Sequence, residues 1–267
     1  MAVTIHPTAQ VSPKAELGDN VTIGHCAVVE DHVIIGDNSL VDAFASVKAY
    51  TRMGKGNVIH SYAMVGGIPQ DLKFHGEESW LELGDNNNVR EFATLHRGTE
   101  GGGGITRVGN DNLFMAYTHI AHDCQLGSNI IMSNAATLAG HVVVQDGAIL
   151  GGFSAVHQFS RIGTYAFVGG MSGISMDVPP YMLAVGHRAD LHGPNLVGLR
   201  RMQASRETLA AVRSAYRIIW LSSIPRKEAL EQTEKEFATV PEIQTLIAFI
   251  RTAERGVLPA SKESHAE

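Results

Sequence analysis

Along most of the chain a branched or long aliphatic residue returns at every sixth position. The first run is Ile5, Val11, Leu17, Ile23, Val29, Ile35, Val41, Val47, Met53, Ile59 and Val65. The register breaks and resumes at Leu83, Val89 and Leu95. Beyond a glycine-rich stretch it continues without a gap from Val108 and Phe114 to Val168 and Ile174. Four residues after most anchors stands a smaller side chain, as at Ala9, Ala15, Ala27, Ala45, Ala136 and Ala148, and glycine often follows the anchor directly, as at Gly18, Gly36, Gly127 and Gly163. An α-helix cannot use this period, because six residues are 1.67 turns and successive anchors would point to nearly opposite sides. A parallel β-helix uses it directly. Each hexad becomes a short strand and a corner, and three hexads close one triangular coil whose anchors fill the interior. The glycines are expected to supply unusual corner dihedrals.

Two segments interrupt the hexads. Residues 66–82 carry Asp71, Lys73, His75 and Trp80, and residues 98–107 contain four consecutive glycines. Regular coils need no excursions, so such polar loops are candidate binding elements. After Asp177 the hexads stop at Pro179-Pro180. Helical spacing follows, with Leu209, Val212, Tyr216 and Ile219 between Ser205 and Trp220, a start near Ser223 and Pro225, and Ile243, Leu246, Ile247 and Ile250 after Pro241. The expected organisation is therefore an all-β parallel β-helix over residues 1–190 and a helical segment over residues 191–267. The helices would cap the column's open end, pack against its side or join subunits.

Composition narrows the function less than the fold. A net charge of −6 argues against a general nucleic-acid binder, and no run approaches the length of a transmembrane helix. Cys26 and Cys124 match no zinc or redox spacing, and the N-terminus lacks a basic segment followed by an apolar run. A reducing, cytoplasmic compartment is expected.

The thirteen histidines are more informative. Anchors Ile120, Leu138 and Val156 stack at intervals of eighteen, and Leu95 joins them if the glycine-rich stretch adds seven residues. His96, His119, His122, His141 and His157 then fall on or beside one side of four adjacent coils. Three explanations are open. One is acid–base chemistry at a histidine, with neighbours holding a substrate. A second is a shared zinc site, and a third is a polar subunit interface. Asp123, next to His122, could stabilise an imidazolium, and Gly140 could offer its N–H to an oxyanion.

The chain also resembles the bacterial UDP-N-acetylglucosamine acyltransferases of lipid A synthesis. The resemblance covers nearly all of residues 4–255 and rests on QDLK at 70–73, HRGT at 96–99, THIAHDC at 118–124, NAATLAGH at 134–141, AVHQF at 155–159, VGGMSG at 168–173 and DVPPY at 177–181. Spacing does not set the hand of the coil; the left hand is that of known hexapeptide-repeat proteins and departs from the usual crossover rule. The resemblance implies a homotrimer with sites between neighbouring columns. It implies transfer of an (R)-3-hydroxyacyl chain from acyl carrier protein to the glucosamine 3-hydroxyl of UDP-N-acetylglucosamine. No bound cofactor or metal is implied, the donor's phosphopantetheine belonging to the carrier. His122 matches the general base, Asp123 its partner and Gly140 the oxyanion donor. Asp71, Lys73, His96, His119, His141, His157, Gln158, Asn195 and Arg201 match positions lining the donor or nucleotide-sugar site. Gly170 matches the end of the acyl groove, where glycine accompanies chains of about 14 carbons and methionine chains of about 10, each buried methylene contributing about 0.8 kcal/mol. Val197 departs from relatives with glutamate near the uridine, and the resemblance does not separate UDP-N-acetylglucosamine from its 3-amino analogue.

Overall fold

A computed structural model describes residues 2–262; residue 1 and residues 263–267, which close the two expected segments, lie outside the described range. The hexads wind into a left-handed parallel β-helix with three faces, which are sheets of eleven, nine and eight strands. Most strands are two residues long, and the second residue of each is the anchor of the six-residue period. Partners on one face lie eighteen apart, as in Ile23 with Val41. They are thirty apart across the first insertion, in Ile59 with Val89, and twenty-five across the second, in Leu95 with Ile120. The second insertion thus adds the seven residues needed to stack Leu95 beneath Ile120. Both insertions are shorter than the sequence suggests, because strands Met64–Gly67, Trp80–Leu83 and Ile105–Val108 extend into them.

From Ile23 onward the anchors form one continuous buried column. The first coil differs: with no coil beneath it, Ile5 is exposed and Val11 and Leu17 are half-buried. At the corners, the conformational role expected of the glycines belongs to another residue. The left-handed position is the third after the anchor and carries asparagine at Asn20 and Asn38, aromatics at Phe44, Tyr62, Phe92 and Tyr117, and Asp123 and His141. Asparagine tolerates positive φ, whereas bulky residues there are held by the coil's geometry. Glycine directly after the anchor answers a different need, the close approach of stacked corners: a Cβ on Gly36 would stand 2.7 Å from the Lys55 nitrogen of the next coil. One corner carries a ladder of stacked, exposed rings, Phe44 to Tyr62 at 5.1 Å, Tyr62 to Phe92 at 5.1 Å and Phe92 to Tyr117 at 5.0 Å.

Beyond Asp177 the stack continues briefly, with Val178 bridged to Ile162 and Ala184 paired with Val168. An antiparallel pair, Met182–Val185 and Asp190–Pro194, then closes the eleven-stranded face and spans the expected boundary at 190. Four α-helices follow among the described residues, α1 (Leu196–Arg201), α2 (Arg206–Tyr216), α3 (Arg226–Glu236) and α4 (Pro241–Arg251), and a π-helical turn, Arg217–Leu221, extends α2. Ser205 caps α2 by accepting from the Thr208 N–H, and Pro241 occupies the first turn of α4. Pro225, rather than Ser223, stands at the start of α3. Of the three placements open to the helices, they take the C-terminal end of the column. Tyr216 donates to the Leu191 carbonyl, while Arg161 of the last coil donates to Asp177 and to the Phe249 carbonyl. Among the described residues no helix is long and apolar enough to cross a membrane.

Candidate active site

Stacking by eighteen puts His122 and Asp123 beneath Gly140 and His141, because both pairs occupy the second and third places after the aligned anchors Ile120 and Leu138. The His141 N–H donates to the His122 carbonyl at 3.0 Å and locks the two corners together. A Cβ at position 140 would lie 2.8 Å from Nε2 of His122, so the imidazole packs against the glycine backbone. The buried Gly140 N–H has no acceptor among the described residues.

Asp123 takes the left-handed conformation, φ 61°, which turns its carboxylate back towards the preceding side chain. His122 Nδ1 lies 2.7 Å from Oδ2. The Thr99 N–H donates to Oδ1 at 2.8 Å and the Thr99 hydroxyl to Oδ2 at 2.7 Å, while the Asp123 N–H donates to Thr106 Oγ1. The carboxylate is wholly buried yet fully hydrogen-bonded, as a buried charge requires. With Nδ1 bound to a carboxylate, Nε2 of His122 is the nitrogen left for a reacting group.

On the adjoining strand His119 Nδ1 bonds the Thr94 hydroxyl at 2.7 Å, and the His96 ring meets that of His119 edge-on at 4.8 Å. Burial, with His119 and His122 nearby, pushes the His96 imidazole down to about 4; burial also lowers His119. Both are neutral near pH 7 and can orient hydroxyls without adding charge. His141 meets His122 edge-on and stacks on Phe159, with ring centroids 4.5 Å apart.

A cavity of about 680 Å³ lies against this cluster, lined by Asp71, Lys73, His75, Thr99, His141 and Phe159 among others. Both insertions contribute to its wall and are tied together, the Glu100 N–H donating to Glu77 and the Trp80 N–H to the Gly104 carbonyl. At the root of this wall, Arg97 donates to the Ala49 carbonyl and lies over the Tyr50 and Phe74 rings.

The structure thus brings His96, His119, His122, Asp123, Gly140 and His141 into one cluster, and Asp71, Lys73 and His141 line the cavity beside it. It leaves His157 and Gln158 exposed one coil further on, outside the cavity wall. Asn195 and Arg201 belong to α1; the Asn195 amide caps that helix at Gly198 and donates to the Tyr165 carbonyl, and Arg201 is exposed. Val197, on the same helix, is exposed. Gly170 lies on the aromatic-ladder corner, where a Cβ would meet only Gly152 atoms at 3.4 Å or more. Sequence reasoning missed Thr99, Gly102 and Phe159, although the first and last stood within the HRGT and AVHQF motifs. His122, Asp123 and His141 are also the one group of possible metal ligands close enough together among the described residues. The Asp123 oxygens, however, already accept three hydrogen bonds.

Known proteins share this architecture over almost its full length. Residues 177–258 match the family described as UDP N-acetylglucosamine O-acyltransferase, domain 2. An acyl-[acyl-carrier-protein]–UDP-N-acetylglucosamine O-acyltransferase from Anaeromyxobacter dehalogenans is 50% identical over 255 residues, 96% of this chain and 99% of that protein. One from Herminiimonas arsenicoxydans is 47% identical over 258 residues, 95% and 98% of the two chains. The crystal structure of the Moraxella catarrhalis UDP-N-acetylglucosamine O-acyltransferase superposes with a TM-score of 0.92 at 41% identity, covering 95% of this chain and 99% of that one.

Proposed function

The chain belongs to the acyl-[acyl-carrier-protein]–UDP-N-acetylglucosamine O-acyltransferases, and from that premise we propose that it moves an (R)-3-hydroxyacyl chain from acyl carrier protein to the glucosamine 3-hydroxyl of UDP-N-acetylglucosamine, the first step of lipid A synthesis. The observation that carries the mechanism is the His122–Asp123 pair packed beneath the free Gly140 N–H. His122 Nε2 takes the proton of the sugar hydroxyl as its oxygen attacks the thioester carbon. Asp123 holds Nδ1–H and offsets the imidazolium charge. The tetrahedral oxyanion accepts from Gly140 N–H. On collapse the C–S bond breaks and the imidazolium returns its proton to the phosphopantetheine sulfur, so no acyl-enzyme forms and the protein ends unchanged.

Lys73, exposed at the cavity, supplies positive charge for phosphate or carrier, while Asp71 and the neutral His96 and His119 suit sugar hydroxyls. Asn195, Arg201, His157 and Gln158 lie outside the wall of one chain, and a second copy set alongside the column would bring such residues to the site. The exposed rings of Phe44, Tyr62, Phe92 and Tyr117, with Phe153 and Met171 exposed at the same corner beyond Ala135, support the homotrimer that this requires, and a cytoplasmic location belongs to the same reading. The exposed Arg200, Arg201, Arg206, Arg213 and Arg217 suit an acidic carrier protein.

Purified protein given acyl carrier protein thioesters with UDP-N-acetylglucosamine, or separately with its 3-amino analogue, tests the reading. Transfer to the hydroxyl sugar supports it, and transfer only to the amine replaces the acceptor. Proton transfer by imidazole needs no metal, so turnover should survive exhaustive chelation; loss restored by one zinc per site would favour the metal alternative. Sedimentation should give about three times the 28.7 kDa chain mass.

A further inference from the structure

We propose that the glycine-rich insertion is a positioning element for this reaction, with Thr99 and Gly102 holding the Asp123 carboxylate in the rotamer that meets His122. The inference rests on the reading of His122 as the base. Thr99 stands where the chain leaves the coil carrying His96, and one residue there engages both carboxylate oxygens, through N–H to Oδ1 at 2.8 Å and hydroxyl to Oδ2 at 2.7 Å. Rotation of the carboxylate would break both bonds together with the one from His122 Nδ1, which ends on the same Oδ2. The short turn Glu100–Gly102 then folds over the outer face of that carboxylate.

The consecutive glycines have different reasons to be glycine. A Cβ on Gly102 would collide with the carboxyl carbon and both oxygens of Asp123. Gly101 faces open space at ordinary φ, while Gly103 and Gly104 face open space at φ of +93° and +78°, where the backbone conformation itself favours glycine. Only Gly102 is required by contact with the dyad. Thr99 and Gly102 reach the substrate's proton only through Asp123 and His122, which makes them positioning residues rather than catalytic ones.

The test uses full-length enzyme with acyl carrier protein thioester and UDP-N-acetylglucosamine. Thr99→Val should lower kcat about 10- to 100-fold with KM changed by less than about threefold, and Thr99→Ser, which keeps the hydroxyl, should recover most of that loss. In an Asp123→Asn background Thr99→Val should cost little more, because its effect runs through the carboxylate. Gly102→Ala should lower kcat far more than Gly101→Ala, although both stiffen the same turn. Losses that multiply in the double variant, a serine that fails to rescue, or equal effects of the two alanines would overturn the positioning role and leave His122 as the base. His122→Ala with normal turnover would instead overturn the reading beneath it. Thr99→Ser and Gly101→Ala keep the test decisive if Gly102→Ala fails to assemble.

Discussion

His141 Nε2 stands 3.7 Å from Asp123 Oδ2, a full ångström farther than His122 Nδ1, so one buried carboxylate separates the roles of two imidazoles a coil apart. His122 has the short bond to the carboxylate, which in the proposed reaction would fix its tautomer and offset developing charge. His141 has instead the face of Phe159, which holds its ring as a wall of the cavity.

This division predicts different kinetics for the two alanine variants. His122→Ala should remain assembled and lose about 10²–10⁴-fold in kcat, the scale of general-base catalysis. His141→Ala should act on KM for the nucleotide sugar at least as strongly as on kcat, because it removes a wall and not the proposed base. Steady-state kinetics with both substrates varied decides this. A His122 variant of near-normal turnover would require another base.

The His96 imidazole, held near 4 by burial, links the site to acid stability. In the unfolded chain it takes a proton near the ordinary value of 6.5, so between those values the unfolded state binds more protons. Stability is therefore full above pH 6.5 and falls as pH drops towards 4, by about 2–4 kcal/mol for this group alone. His119 shifts in the same direction. His96→Phe should flatten that fall, measured as urea midpoints at pH 7 and pH 4.5 at fixed protein concentration. An unchanged acid sensitivity would assign it to other groups.

Cys124 stands beside Asp123, yet burial pushes its thiol up to about 12 and its Sγ contacts the Ala139 carbonyl. It should resist alkylation in the native protein at pH 8, leaving the partly exposed Cys26 as the single reactive thiol, and both should react in urea. Mass spectrometry after iodoacetamide reads the outcome. Rapid native labelling of Cys124 would mean that the coil opens far more readily than its burial suggests.

The column was legible because every anchor repeats one environment: Ile120, Leu138 and Val156 each fill the same interior place, and period alone reveals it. The corners were less so. Glycine after the anchor looked like a residue chosen for its dihedrals, but the left-handed position three places on is held by tertiary stacking, which lets Phe92 or Tyr117 occupy it. The histidine cluster could be found by counting eighteens, whereas Thr99 could not. It reaches Asp123 from the edge of the glycine-rich insertion, where the register of the coils is lost, so the twenty-four residues between them do not by themselves place the two side chains together. The helix α1 escaped for a related reason: six residues carry too little apolar pattern to declare themselves, and its cap is tied to Tyr165 in a distant corner.

Chain-length selection should be set at Gly170. The strand Gly173–Ile174 that follows it lies three coils beyond His119–Ile120 on the same face. At about 4.8 Å per coil this is about 14 Å of wall, a span suited to a long acyl chain. The face is lined outward by small side chains as it rises, Thr137, Ala155 and Gly173, which leaves room for methylenes against it. A side chain at 170 is compatible with the fold, since its φ is not in the left-handed region and a Cβ would meet Gly152 only at ordinary contact distances. Gly170→Met should therefore fold and assemble while projecting its thioether beside the exposed Met171 and Phe153. If the acyl chain runs along this face, the added side chain occupies the place of the last methylenes. Each methylene that can no longer be buried costs about 0.8 kcal/mol, roughly fourfold in kcat/KM. The unsubstituted enzyme should then prefer a donor of about 14 carbons, and the variant one of about 10, four methylenes amounting to roughly 200-fold in relative selectivity. Relative kcat/KM across a ladder of 3-hydroxyacyl carrier thioesters measures the shift. A folded, trimeric Gly170→Met enzyme with the original length profile would remove this corner from the acyl groove and leave the chain to another face of the column.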